Sequence, residues 1–251
     1  MTHDTPKNTV SFKVYGRYAL FTDPVTKIGG EKFSYHIPTY EAIKGVLKSI
    51  YWKPTIIWHV DRVRVMRPIQ TQTKGTKPLV WGGGNSLSIY TFLHDVEYQV
   101  QAHFEWNEAR PELIKDRIDG KHFSIAQRTI EKGGRQDIFL GVRDCQAYVE
   151  PCKFGESNGA YDDIGELGFG LMFHGFDYPD ETGKTDVNGK PDESGEYRLH
   201  GRFWNAVMRK GVIDFPRPEA CSLQRFVRNM QPKEFSEGVN LLSVEMEEAG
   251  L

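Results

Sequence analysis

The order of short apolar patterns along the chain limits its fold more than any other feature. Thr9 to Tyr15 puts Val10, Phe12 and Val14 on one face and Ser11, Lys13 and Tyr15 on the other, the two-residue period of a strand. Tyr40, Ile43, Val46, Leu47 and Ile50 instead recur at helical spacing, opened by Pro38-Thr39 and stopped by Pro54. Thr55 to Met66 is rich in β-branched residues and reads as a long strand. Pro68 to Tyr90 reads as a long connection, and Asp95 to Trp106 alternates again as a strand. Ser124 and Gln127 form an S-x-x-Q capping box for a second helix, which Gly133-Gly134 stops. Asp137 to Val142 follows as a strand.

Strand, helix, strand, strand, helix, strand is the ferredoxin-like order of an α+β domain, an order also used by RNA-recognition modules. The expected first domain spans 9–144. Beyond Cys145 the texture changes. Gln146 to Phe154, Leu167 to Tyr178 and Tyr197 to Phe215 read as strands of an antiparallel sheet, with a helical turn expected at Val207 to Lys210. This predicts a smaller β-rich domain over 145–232. Asp180 to Glu196 reads as a hairpin tip or insertion. An acidic, partly helical tail is expected over 233–251.

No run of 18 apolar residues exists, so no membrane span is expected. The polar stretch Met1 to Val10 lacks the apolar core of a signal peptide. Cys145, Cys152 and Cys221 are odd in number and lack metal-ligand spacing, and read as free or buried thiols. A cytoplasmic address is expected. The net charge of −2 hides an asymmetry. Residues 1–150 hold 21 Lys/Arg against 16 Asp/Glu, and residues 151–251 hold 11 against 18. A basic half is the electrostatic footprint on which phosphates dock.

Gly82-Gly83-Gly84-Asn85 lacks the Lys-Ser/Thr of a phosphate-binding P-loop and reads as a flexible loop. No cluster of Asp, Glu and His has spacing that calls for a metal, so no metal or cofactor is expected. The informative segment is Gly120-Lys121-His122-Phe123-Ser124. It places a cation and an imidazole beside a helix N-terminus, where free N–H groups and the helix dipole favour an anion. RNA carries its own nucleophile, the 2′-hydroxyl. Its cleavage needs a group that moves a proton, a task for His122, and a group that holds the extra negative charge, a task for Lys121. Tyr51 falls in the last turn of the first helix, where an aromatic ring also suits core packing. Trp52 and Lys53 follow it, then Arg62, Arg64 and Arg67. Aromatics interleaved with cations suit single-stranded RNA, by stacking and by phosphate pairing. Lys74 and Lys77 in the long connection, Lys27 beside Gly29-Gly30, and Arg135 after Gly133-Gly134 are further candidates for contact with an RNA backbone.

Several separated segments resemble one known family. Tyr15-Gly16-Arg17-Tyr18-Ala19-Leu20-Phe21-Thr22-Asp23-Pro24, Ile50-Tyr51-Trp52-Lys53-Pro54-Thr55, Ala102-His103-Phe104-Glu105, Gly120-Lys121-His122, Asp137-Ile138-Phe139-Leu140-Gly141 and Phe215-Pro216-Arg217-Pro218 are similar to the CRISPR-associated family-five protein of type I-C systems, the d or c subtype. The similarity runs from about residue 9 to about residue 232 and leaves out 180–196 and the tail. The resemblance implies a ferredoxin-like (RRM-like, RAMP) N-terminal domain followed by a smaller antiparallel β-sheet domain. It implies a metal-independent endoribonuclease that cuts CRISPR repeat RNA at the 3′ base of its stem-loop. The enzyme then stays on the 5′ handle of the guide RNA with the other type I-C Cascade subunits. The resemblance maps the family's catalytic Tyr, Lys and His onto Tyr51, Lys121 and His122. For Tyr51 the catalytic assignment rests on the resemblance. Two alternatives stand beside this reading. One is a non-catalytic subunit that binds the guide's 5′ handle. The other is a protein that binds or cuts duplex DNA, which the basic half would also hold.

Overall fold

The computed structural model describes residues 8–24, 26, 31–183 and 196–250; Lys27, Gly29 and Gly30 lie outside them. The architecture is mixed α/β, built on a mostly antiparallel sheet with few helices. Its spine is β5 (Ser88–Trp106), 19 residues long. One edge of β5 pairs with β1 (Thr9–Ala19), in the register Phe12↔Val100. The other edge pairs with β3 (Ile56–Val65), in the register Trp58↔Phe104. Towards its start β5 pairs with β2 (Lys32–Phe33) and with β4 (Thr71–Thr76). The expected long connection between Pro68 and Tyr90 is therefore a β4–β5 hairpin. Thr71-Gln72-Thr73-Lys74-Gly75-Thr76 has no apolar face because both faces of that ribbon meet water.

Strand β1 also pairs with β7 (Gln146–Pro151), which pairs with β6 (Ile138–Phe139). The strand expected at Asp137 to Val142 is thus only two residues long. The neighbour of β1 is Gln146–Pro151, and the sheet's hydrogen bonding runs across the division expected between 144 and 145. Beyond β3 the sheet continues through β10 (Val212–Asp214) to β9 (Arg198–Arg209), which pairs with β8 (Glu166–Asp177) and β11 (Leu223–Asn229). Val207 to Lys210 is not a helical turn. It is the end of β9, and Lys210 takes a positive φ of 47° at the corner into β10.

Helix α1 (Tyr40–Ile50) starts at Thr39, whose hydroxyl accepts from the Ala42 amide at 3.2 Å. It buries Ile43, Val46, Leu47 and Ile50 against the sheet. Each such side chain contributes about 1.5–3 kcal/mol. Helix α2 (Lys121–Glu131) buries Ile125, Ala126 and Ile130 in the same core and touches α1. Beyond the end of β8 a single helical turn, Pro179–Thr182, brings Glu181 back to α1. There Glu181 pairs with buried Lys44 and, at 3.2 Å, with Lys48. The first residues of the expected insertion at 180–196 are therefore a packed brace, and 184–195 lie outside the described residues. The three cysteines are free thiols. Among the described residues no helix is long and apolar enough to cross a membrane.

Polar groups are buried where β8 and β9 cover α1. The His174 ring stacks on Tyr40 with centroids 4.1 Å apart, and its Nε2–H donates to the Pro216 carbonyl at 3.1 Å. Its Nδ1 accepts from Arg202 Nε at 3.3 Å, and Arg202 also pairs with Asp177. Burial and the Arg202 guanidinium push His174 down to about 3. Burial and the Arg217 guanidinium push His59 down to about 3 as well. Both rings are neutral in the fold, whereas an unfolded His titrates near 6.5. The unfolded chain therefore binds more protons than the native one between about pH 6.5 and pH 3. Stability is highest above that window and falls as the pH drops through it. Each ring contributes a slope of about 1.4 kcal/mol per pH unit. Urea unfolding at stepped pH should show the loss starting below pH 6.5, ahead of the carboxylate range. Unchanged stability between pH 6.5 and 5 would mean these rings are not held neutral.

Candidate active site

Tyr51 is the C-cap of α1, not part of its last turn. Its backbone is extended (φ −155°, ψ 129°), and its N–H still donates to the Leu47 carbonyl. Its own carbonyl accepts from Trp58 Nε1 at 2.7 Å. This turns the ring into the space between α1 and α2, where it is fully buried.

The second helix begins earlier than the capping-box pattern suggests. Gly120 is its N-cap, in the left-handed region (φ 80°) that favours glycine. Lys121 and His122 are the first two helical residues, and Ser124 lies inside the first turn, its N–H donating to the Gly120 carbonyl at 2.9 Å. No side chain caps this helix start. The early start follows from His122. Its ring is completely buried beside Tyr51, Phe104 and Trp106, with ring centroids 5.4–6.3 Å away.

Both nitrogens of that ring are satisfied. Nε2 lies 2.6 Å from the Asp116 carbonyl, which only accepts, so Nε2 carries the proton. Nδ1 is then the acceptor, and the Tyr51 hydroxyl donates to it at 2.8 Å. Burial holds His122 below the usual histidine range, against the opposing pull of the Asp116 carbonyl. Burial, with the Glu247 and Asp116 carboxylates, raises the Tyr51 phenol far above its ordinary value. Both groups are neutral near pH 7. The Asp116 side chain is itself fixed, accepting from Thr55 Oγ1 at 2.7 Å and from the Val244 amide at 2.5 Å.

Lys121 stands at the rim, 31% exposed, with its ammonium 3.4 Å from both Glu245 and Glu248. Lys53 is buried and pairs with Glu247 at 2.8 Å, and Arg135 pairs with the same carboxylate. The Arg135 and Gln136 amides both donate to the Ser49 carbonyl at 3.1 Å, which ties the loop after α2 to the end of α1. Trp52, partly exposed, packs against Phe235 with centroids 6.0 Å apart. Tyr51, Trp52, Lys53, Lys121, His122 and Arg135 therefore form one neighbourhood.

The other expected residues do not belong to it. Arg62 and Arg64 lie on the far part of β3, roughly 20–26 Å along the strand from its start, and Arg67 lies beyond its end. Arg64 is a buried clamp that holds Asp162 at 2.6 Å and the Glu156 and Ser157 carbonyls at 3.2 and 3.0 Å. Arg67 pairs with Asp95 and Glu97 at 2.5 and 3.1 Å. Arg62 lies over the Phe154 ring at 4.7 Å and donates to Gln101 at 2.7 Å. Lys74 sits 3.2 Å above the Tyr18 ring on the β4–β5 hairpin, where Lys77 and the fully exposed Trp81 follow it. Lys27 lies outside the described residues. Asp116 and Thr55 carry no sequence signal that marks them for this site. Among the described residues no group of three or more His, Cys, Asp or Glu side chains is placed to hold a metal ion.

A family model described as CRISPR-associated protein (Cas_Cas5), of the Cas5d type, matches residues 9–216. The CRISPR pre-crRNA endoribonuclease Cas5d of Thermus thermophilus is 27% identical, over 85% of this chain and 93% of its own. The protein of the same name from Mannheimia succiniciproducens is 26% identical, over 83% and 95%. A crystal structure of a CRISPR-associated protein superposes with a TM-score of 0.70 at 33% identity, covering 86% of this chain and 96% of the other. A functionally uncharacterized protein from Streptococcus mutans gives 0.68 at 34%, with the same coverage.

Tyr51→Phe keeps the ring but leaves a buried Nδ1 without a donor. It should lower the unfolding free energy by about 1–3 kcal/mol in urea titrations. A variant as stable as the parent would mean that the bond between the two rings is not made.

Proposed function

The chain belongs to the Cas5d family of CRISPR-associated proteins, and on that footing we propose that it is a metal-independent endoribonuclease for CRISPR precursor RNA. We read β7–β1–β5–β3, with α1 and α2 packed on it, as a ferredoxin-like core, and β8–β11 as its smaller antiparallel companion. The protein works in the cytoplasm, cuts at the 3′ base of the repeat stem-loop, and stays on the guide's 5′ handle with the other subunits of a type I-C Cascade.

The observation that carries the nuclease reading is the Tyr51–His122 hydrogen bond beside Lys121, at the uncapped start of α2. In the reaction, the 2′-oxygen of the RNA bonds to phosphorus and the P–O5′ bond breaks. The products are a 2′,3′-cyclic phosphate and a 5′-hydroxyl. The Tyr51 hydroxyl accepts the 2′-hydroxyl proton as its own proton passes to His122 Nδ1. The same route, reversed, returns a proton to O5′. The Asp116 carbonyl fixes the tautomer this relay needs. Lys121 and the free amides at the start of α2 hold the extra negative charge of the phosphorane.

One observation favours the non-catalytic guide-binding reading: His122 and Tyr51 are fully buried, out of reach of any strand as they stand. A nuclease must therefore open this site when RNA arrives. The duplex-DNA reading is separated by chemistry, since DNA lacks the 2′-hydroxyl.

Cognate repeat RNA should be cut in excess chelator, leaving a cyclic phosphate, and a single 2′-deoxy nucleotide at the cut should block it. His122→Ala should lower single-turnover cleavage by about 10²–10⁴-fold with binding retained. Lys121→Ala should lower it by about 10²–10³-fold. Cleavage that disappears with chelator and returns with magnesium would overturn the metal-free mechanism. Full activity in His122→Ala would remove that residue from the site.

A further inference from the structure

The C-terminal segment lies across this site. Phe235 packs at a tilt against Trp52, and its ring centre lies 5.4 Å from the Arg110 guanidinium. The Leu242 carbonyl accepts from the Lys53 ammonium. Ser243 then caps a six-residue helix, α3 (Val244–Ala249), and Val244 is sunk completely into the core. From that anchor three carboxylates reach the cations around the catalytic pair. Glu245 and Glu248 hold Lys121, each at 3.4 Å. Glu248 also reaches Arg128 at 3.9 Å, and Glu247 holds Lys53 and Arg135.

These cations come from three places: the segment just after α1, the first and last turns of α2, and the loop after it. They converge on one acidic segment. Beyond the anchor at Val244, whose amide also donates to Asp116, and the buried Glu247, the segment buries little. Val239 is 84% exposed, Met246 61% and Leu242 54%, so much of its apolar surface stays in water. It also lies beyond residue 216, where the match to the family model ends.

We propose that Lys53, Arg135, Lys121 and Arg128 form a track for consecutive RNA phosphates, and that the tail glutamates fill this track in the free protein and leave when RNA enters. The proposal rests on the ribonuclease reading. It offers a way for His122 to be catalytic yet buried, because the tail is tied to the surroundings of that pair: the Val244 amide donates to Asp116, and the Glu247 carboxylate pairs with Lys53 two residues after Tyr51. Exchange is nearly even in ion pairs, because each phosphate that arrives replaces a carboxylate that departs. RNA gains from the counterions it releases as well.

The test uses the full chain and a fluorescein-labelled RNA with 2′-methoxy groups throughout, which 2′-hydroxyl chemistry cannot cut. A variant with Glu245→Gln, Glu247→Gln and Glu248→Gln is compared with one carrying the same charge change elsewhere, Glu31→Gln, Glu156→Gln and Glu166→Gln. The tail variant should bind at least about fivefold tighter than the control variant. Equal or weaker binding overturns the proposal. Because Glu247 partners the buried Lys53, the second readout uses the unaltered protein. Amide hydrogen exchange over 241–250 should accelerate when the RNA is bound. Unchanged or slower exchange with RNA bound overturns the proposal whatever the variants do. Release of the tail with no cutting of unmodified RNA upholds the track and sinks the nuclease reading instead.

Discussion

The pairing of β5 along both its edges is the constraint on which the rest of the structure depends. A 19-residue strand flanked by β1 and β3 is long enough to carry both the core and the site. Its middle supplies Val100 and Ala102 beneath the helices, and its end supplies Phe104 and Trp106. Those two rings form the wall against which His122 is buried, so the imidazole has no water to satisfy it. Each ring nitrogen then needs a protein partner, because an unpaired buried polar group costs about 1–3 kcal/mol. The Asp116 carbonyl and the Tyr51 hydroxyl meet that need. The hydrogen bond that defines the site is thus a consequence of packing at the end of one strand.

Much of this order is legible along the chain. The two-residue alternation of β1 and the helical spacing of α1 appear where the sequence places them, because one face of each is buried and the other is not. The segments that escape notice lack that contrast. Thr71–Thr76 is polar on both faces, and Leu223–Asn229 is an edge strand with little burial. The early start of α2 is invisible locally, because Ser124 and Gln127 carry a perfectly good cap sequence. Burial of His122, a tertiary effect, overrides it.

The site is legible to a different degree. Lys121, His122, Lys53, Trp52 and Arg135 converge because the two helix ends meet. Arg62, Arg64 and Arg67 look like part of the same basic run, but a strand carries them away at about 3.3 Å per residue. Asp116, Thr55 and the tail glutamates are illegible for a plain reason. Their side chains act on partners 61 to more than 120 residues distant, as in Thr55–Asp116 and Lys121–Glu245. The opposed charges of the two halves do leave a trace of this. Part of the negative excess beyond residue 150 is spent internally, on the cations of the first half.

That arrangement also sets a valence. Glu245, Glu247 and Glu248 occupy four cations at once from a single tethered segment, so their effective concentration at the track is high. A mononucleotide or a free phosphate can challenge only one of these contacts at a time, and the others hold the segment in place. A continuous strand challenges all of them together. On the proposed track the tail would in this way discriminate by length, admitting polymers and turning away small phosphates without reading a single base.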